Sequence, residues 1–174
     1  MNCIREIVTK AVVGKGKKLI RLTDTLTPNN TPYSILGCWI INHQFEAELC
    51  DNVVNINGTY EINIWYSYDN NTRTDIARSY SNYNQTINVR EIVDDLNSDC
   101  RDVIVRVQQQ PTVTNGEICD NNINVDVIVE LLAEVIGETK IKVSIFDQYD
   151  PCDPYEEEDF ENQINEDFIR QETE

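Results

Sequence analysis

CWIINHQFEAELC, residues 38–50, decides the fold class. Its odd positions read Trp39, Ile41, His43, Phe45, Ala47 and Leu49, and its even positions run from Cys38 and Ile40 through Asn42, Gln44, Glu46 and Glu48 to Cys50. Successive side chains of a strand point to opposite faces. This register therefore predicts a half-buried strand with one apolar face and one increasingly polar face. The same alternation returns in VIVRV (103–107) and INVDVIV (123–129). It returns again over 135–145, where Val135, Thr139, Ile141, Val143 and Ile145 share a phase against Glu138, Lys140, Lys142 and Ser144. Asn-Gly at 57–58 and 115–116, with Pro28, Pro32 and Pro111, are expected to break these runs as turns. The expectation is seven to ten strands, no helix before residue 150, and an all-β, antiparallel sandwich or barrel-like domain.

Two segments repeat weakly. VNINGTYEINIWYSY (54–68) superposes on AEVIGETKIKVSIFD (133–147) at an offset of 79, matching Gly58 to Gly137, Ile62 to Ile141 and Ile64 to Val143. Each half reads as a strand, a glycine-centred bend and a second strand. Two ordinary amphipathic strands that each hold a glycine read equally well. The domain organisation expected is a β domain over 1–146, in two weakly repeated halves, followed by a tail over 147–174. In the tail, Asp153 suits a helix N-cap, Pro154 the first helical position and Glu156 the third. Phe160, Ile164 and Phe168 then recur every four residues, as on one face of a short acidic helix that stays frayed or disordered until it docks. Such a tail serves either as a solubilising arm or as a partner-binding segment.

Charge narrows the function. The chain has 31 acids against 14 bases, a net of −17 and a pI near 4.3. A phosphate backbone or an anionic membrane surface needs the opposite balance. Residues 1–146 hold 19 acids and 13 bases (−6), whereas 147–174 hold 12 acids and only Arg170 (−11). The first 21 residues carry Arg5, Lys10, Lys15, Lys17, Lys18 and Arg21 against Glu6 alone. A basic head and an acidic tail are expected to complement each other between neighbouring molecules. No apolar run suits a signal-peptide core or a membrane span, so synthesis in a cytosol is expected. Four N-x-Thr triplets, at Asn29, Asn57, Asn70 and Asn84, fall in a chain with 20 asparagines and are not read as glycosylation sites.

The search for chemistry is short. His43 is the one histidine, and its place between Ile41 and Phe45 suggests a packed, hydrogen-bonded role. No G-x-S-x-G elbow occurs. Glu46 and Glu48 share a strand face and offer the carboxylate pair of a carbohydrate-acting domain; a solvated strand edge explains them as well. Gly14-Lys15-Gly16-Lys17-Lys18 lacks the spacer and the Ser/Thr of a phosphate loop. Asp69-Asn70-Asn71 opens like a calcium loop, but Thr74 and Tyr80 stand where Gly and Glu are needed. Cys3, Cys38, Cys50, Cys100, Cys119 and Cys152 include no close pair, so neither a zinc ribbon nor a redox dithiol is expected. In a cytosol they are thiols. They and the eight tyrosines are potential cross-link handles. No catalytic residue, cofactor or metal is expected; long strand edges and segregated charge describe a scaffold.

Several segments, read in order, then point to a family. REIVTKAVVGKGKK (5–18), PYSILGCWIINHQFEAE (32–48), INIWYSYDNNTRT (62–74), VIVRVQQQP (103–111) and LLAEVIGETKIKV (131–143) resemble the outer spore coat morphogenetic protein CotE family of endospore-forming bacteria. The resemblance covers 5–143 and extends to the acidic tail. It implies a non-enzymatic organiser made in the mother-cell cytoplasm and then held in the outer coat layer. Such a protein self-associates on the forespore and receives outer coat or exosporium proteins. It implies no cofactor, beside the expectation from charge and hydropathy of no nucleic acid and no direct membrane insertion. The interaction surface is expected at Trp39, Ile41, His43, Phe45, Trp65, Tyr66 and Tyr68, together with Phe160, Ile164 and Phe168. The alternatives are a virion or surface β-structural domain and the carbohydrate-acting domain built on Glu46 and Glu48.

Overall fold

The computed structural model describes residues 3–92 and 101–145. Seven strands follow one another: β1 (Cys3–Leu26), β2 (Ser34–Cys50), β3 (Val53–Tyr68), β4 (Arg73–Asn88), β5 (Arg90–Glu91), β6 (Asp102–Cys119) and β7 (Asn122–Ile145). No helix occurs among the described residues. Residues 7–141 form one compact unit; of the other described residues, 3–6 and 142–145 belong to a second, in which Lys142 Nζ lies 3.7 Å from Glu6 Oε1.

The 7–141 unit is an antiparallel sandwich, as the alternation predicted. One sheet is the meander β2-β3-β4 and the other has the order β5-β1-β7-β6. Consecutive strands of the meander run antiparallel, as do β6 with β7 and β1 with β5. Between β1 and β7, Thr23, Thr25 and Thr27 donate to Asp126, Asn124 and Asn122 in turn. One number rises as the other falls, so this pair is antiparallel too. The core lies between two period-2 rows: Val54, Ile56, Tyr60, Ile62, Ile64 and Tyr66 on β3, and the odd residues from Ile123 to Val135 on β7. Burial of such side chains stabilises by about 1.5–3 kcal/mol each.

Three expectations need correction. Asn57-Gly58 and Asn115-Gly116 are not turns. Gly58 lies within β3 opposite Phe45 and Tyr83, and Gly116 lies within β6 opposite Val125. The reversals fall instead at Asp51-Asn52, Asp69–Thr72 and Asp120-Asn121, where Asp51, Asp69, Asn70, Asn71 and Asp120 hold φ between 50 and 68°. Asn and Asp tolerate this left-handed region without glycine. Pro28 and Pro32 do lie between β1 and β2, but Pro111 lies inside β6, where the register with β7 shifts. A bulged edge strand is where a sheet accepts proline.

The two repeated segments hold no bend. Residues 54–68 lie in unbroken β3 and residues 133–145 in unbroken β7, and each of these strands has a neighbour on both sides. Their likeness follows from that shared position.

Finally, the apolar face read along β2 is two faces. The pairing of β2 with β3 shifts register between Ile41 and Gln44, and Asn42 there takes φ 55°. An extra residue in a strand reverses the side to which every later side chain points. Cys38 and Ile40 therefore pack inward on one side of the bulge, and His43, Phe45, Ala47 and Leu49 point inward on the other. Trp39 and Ile41 are left outside.

Candidate functional site

The bulge divides the outer face of β2-β3-β4 into unlike halves. On one half, Trp39 pairs with Asn63, Ile41 with Glu61, Trp65 with Ile76 and Tyr80 with Glu61. Trp39, Trp65 and Tyr80 are 41%, 44% and 78% exposed, and Ile41 and Ile76 are also open to solvent. Beneath these side chains Glu61 and Asn63 are buried, at 6% and 4% exposure. Burial of a carboxylate demands partners. Asn42 Nδ2 donates to Glu61 Oε2 at 3.0 Å and Asn63 Nδ2 donates to Oε1 at 3.1 Å. Glu61 thus ties the left-handed Asn42 to the centre of the sheet, and the bulge holds Trp39 outward.

The other half is polar. Gln44, Glu46, Asn57, Thr59, Asn82 and Asn84 line a shallow depression of about 660 Å³, in which Asn84 Nδ2 donates to Asn57 Oδ1 at 2.6 Å. Glu46 and Glu48 are both exposed on β2, and only Glu46 lines the depression. The two carboxylates are not brought together in a concave site. Among the described residues no group of three or more His, Cys, Asp or Glu is placed to hold a metal ion.

Inside the sandwich lies a polar cluster that period-2 reading passed over. Asp24 on β1 accepts from Tyr60 Oη at 2.6 Å and from Ser81 Oγ. Burial, and then the Asp24 hydrogen bond, push the Tyr60 phenol above its ordinary range. His43 Nε2 and Tyr83 Oη share a hydrogen bond of 2.8 Å, and the two rings stack at 6.0 Å. Burial lowers the His43 pKa, against a smaller opposing effect of a Gln110 hydrogen bond, and burial pushes Tyr83 up to about 12. His43 is packed and hydrogen-bonded as expected, but beside Phe45 and not Ile41.

The opposite sheet carries a ladder of ion pairs. Lys15 and Arg106 reach Glu134 from either side at 2.9 and 3.5 Å, Lys17 reaches Glu130 at 2.9 Å, and Lys10 reaches Asp102 at 3.4 Å. The Lys15 hydrogen bond holds the Glu134 carboxyl below the usual carboxylate range against the opposing effect of burial, and the charge of Arg106 adds a smaller push in the same direction as Lys15. Much of the basic head is thus already partnered within the sandwich.

Of the interaction residues expected from sequence, Trp39, Ile41 and Trp65 share one exposed face, whereas Tyr66 is fully buried and Tyr68, His43 and Phe45 are half-buried. Phe160, Ile164 and Phe168 lie outside the described residues, as do Cys100, Cys152 and the side chain of Cys3. Cys38 is half-buried, with its thiol pushed up by burial, and Cys50 and Cys119 are exposed free thiols at the ends of β2 and β6. Asn42, Glu61, Asp24 and Ser81 are additions that the structure makes. In comparison with known proteins, the family described as outer spore coat protein E (CotE) matches residues 3–174. No curated protein and no solved structure matches the chain.

Proposed function

The chain belongs to the outer spore coat protein E family, and from that premise we propose that it is a non-enzymatic scaffold which self-assembles on the developing spore and receives other coat proteins. Membership makes it a protein of the spore coat, formed in the mother cell during sporulation. The observation that carries the further reading is the exposed face of Trp39, Ile41, Trp65, Ile76 and Tyr80. Contiguous exposed aromatic and aliphatic side chains mark interaction sites, and Trp and Tyr are enriched where interfaces draw their energy. Here the face is held in place by a buried, fully hydrogen-bonded Glu61, so it presents a preorganised surface. We assign it to the attachment of other coat proteins; association between copies uses a different part of the molecule.

A fluorescent fusion in sporulating cells tests the reading. A ring or cap around the forespore is expected. Combined Trp39→Ser and Trp65→Ser substitution should leave that ring in place while the mature spore loses coat proteins from its outer layers. A diffuse mother-cell signal would refute the scaffold, and a full coat complement in the double variant would refute the assignment of the face.

A further inference from the structure

A sheet edge is a template for another strand, and proteins block it with bulges, proline, charged side chains or a covering segment. The sandwich has four long edges. β2 carries two register shifts against β3. β6 carries three against β7, and Pro111. β1 bears Lys10, Lys15, Lys17, Lys18 and Arg21, and β5 pairs with it at Gly14 and Lys15. β4 differs. It pairs with β3 along its whole length, Arg73 to Asn88, without one shift, and from Ser79 to Asn88 it has no charged residue and no proline.

The direction of its free groups follows from three contacts. Val89 N–H donates to Asn52 O on the β3 side. Thr86 O accepts from Lys18 Nζ at 2.9 Å, and Ile76 N–H donates to Asp75 Oδ1 at 2.8 Å. Backbone groups alternate in direction along a strand, so the even residues of β4 face the edge. Asp75 closes this edge at Ile76, beside the segment Thr27–Asn29 that flanks it across an open cleft. Lys18 closes it at Thr86. Between these two caps the edge-facing N–H and C=O of Arg78, Tyr80, Asn82 and Asn84 have no partner among the described residues.

That open window is symmetric about Ser81, and we propose that it takes a second copy of this chain, β4 against β4, antiparallel about a two-fold axis at Ser81. Edge-facing residues must oppose edge-facing residues, so Arg78 falls opposite Asn84 and Tyr80 opposite Asn82. A register displaced by the next allowed step, to either side, sets a residue against the group already held by Lys18 or by Asp75. Four N–H and four C=O from each copy make eight hydrogen bonds, and no like charges face each other. The two meanders become one six-stranded sheet, β2-β3-β4-β4-β3-β2, whose outer face repeats the exposed aromatic patch on both sides of the axis. A two-fold contact of this kind is isologous and closed, so longer assemblies need a second contact. The inference rests on the self-assembly reading above and gives it a place.

Two measurements on the full chain test it. The first is amide hydrogen exchange over Arg78–Asn84, read at high and low protein concentration beside sedimentation of the same samples. Protection of Arg78, Tyr80, Asn82 and Asn84 that disappears on dilution is expected. The second is Asn82→Pro, which removes an edge-facing N–H and leaves the bonds to β3 in place. Because the axis doubles each lost bond, association should weaken by about tenfold or more, with the circular-dichroism β signal retained. Free exchange of these amides in a sample that sediments as an oligomer would overturn the edge and leave self-assembly standing. So would protection that arises only when a different protein is mixed in. A wild-type chain that stays monomeric at every concentration would overturn both.

Discussion

Gly58→Ala is expected to destabilise the protein, although alanine is ordinarily the better residue inside a strand. At an unstrained strand position the added methyl group gains roughly 0.5–1 kcal/mol, mostly by restricting the unfolded chain. Here Gly58 points inward, and a Cβ on it would fall onto Cζ, Cε1 and Oη of Tyr83. That ring cannot turn away freely: its hydroxyl shares the 2.8 Å hydrogen bond with His43, and it lies between His43 and Tyr60 at centroid distances of 6.0 and 6.1 Å. Relief therefore requires movement of β3 or β4, which are locked in an unbroken ladder. Overpacking of this kind costs about 1–3 kcal/mol, or a fall in Tm of about 2–12 °C for a chain of this size. A double-mutant cycle assigns the cause. In a Tyr83→Ala background, itself weakened by about 3–5 kcal/mol, Gly58→Ala should be neutral or stabilising. In a Tyr83→Phe background, which keeps the ring and loses the histidine bond, it should remain costly. Thermal and urea denaturation supply the numbers. A rise in Tm for the single variant, or an equal cost in all three backgrounds, would refute the contact.

Two further outcomes follow from the same interior and from the bulge. The buried Tyr83 hydroxyl titrates at about 12 and near 10 in an unfolded chain. The native state thus keeps its proton where the unfolded state has lost it, and the contribution of Tyr83 to stability should be flat below pH 10 and fall between pH 10 and about 12. Tyr60, displaced in the same direction, should add to the loss above pH 10, and Tyr83→Phe should make the fall shallower in a pH series of denaturation curves. Asn42→Val should cost about 1–3 kcal/mol, because valine resists the left-handed backbone and leaves the buried Glu61 short of a donor. Thermal denaturation checks it, and a shift smaller than that of an exposed control such as Asn115→Val would count against the role of the bulge.

What was legible in the sequence was periodic, and what was missed was a change of phase. From Asn122 to Val135 the odd residues of β7 are buried without interruption, and the alternation of INVDVIV predicted that row directly. In β2 the same reading failed halfway along. Its warning was Ile40-Ile41, two adjacent apolar residues that cannot share a face, followed by Asn42, a residue suited to a positive φ. The misplaced turns have a similar origin. Asn-Gly is a strong hairpin signal when short range decides, but Gly58 is fixed by a distant ring and by pairing on both sides. The interior Asp24 had no local signal at all, because Tyr60 and Ser81, 36 and 57 residues further along the chain, make it tolerable.

Charge segregation also changes meaning once partners are visible. The sequence suggested a basic head of one molecule against the acidic tail of another. Lys15, Lys17 and Lys10 instead reach Glu134, Glu130 and Asp102 across the same sheet, and Lys18 holds a β4 carbonyl. Pairs as exposed as Lys10 with Asp102 are weak, so a tail of 12 acids is able to compete for them. The two modes of association then separate by salt. Head-to-tail attraction between exposed charges fades as the Debye length shrinks from about 10 Å at 0.1 M to about 3 Å at 1 M. Pairing of β4 with β4 joins neutral backbone groups, which salt barely screens. Sedimentation across that range should show the dimer step unchanged, with any further growth lost as salt rises. A dimer step that weakens in parallel with the growth would mean that the charges, and not the strand edge, hold the copies together.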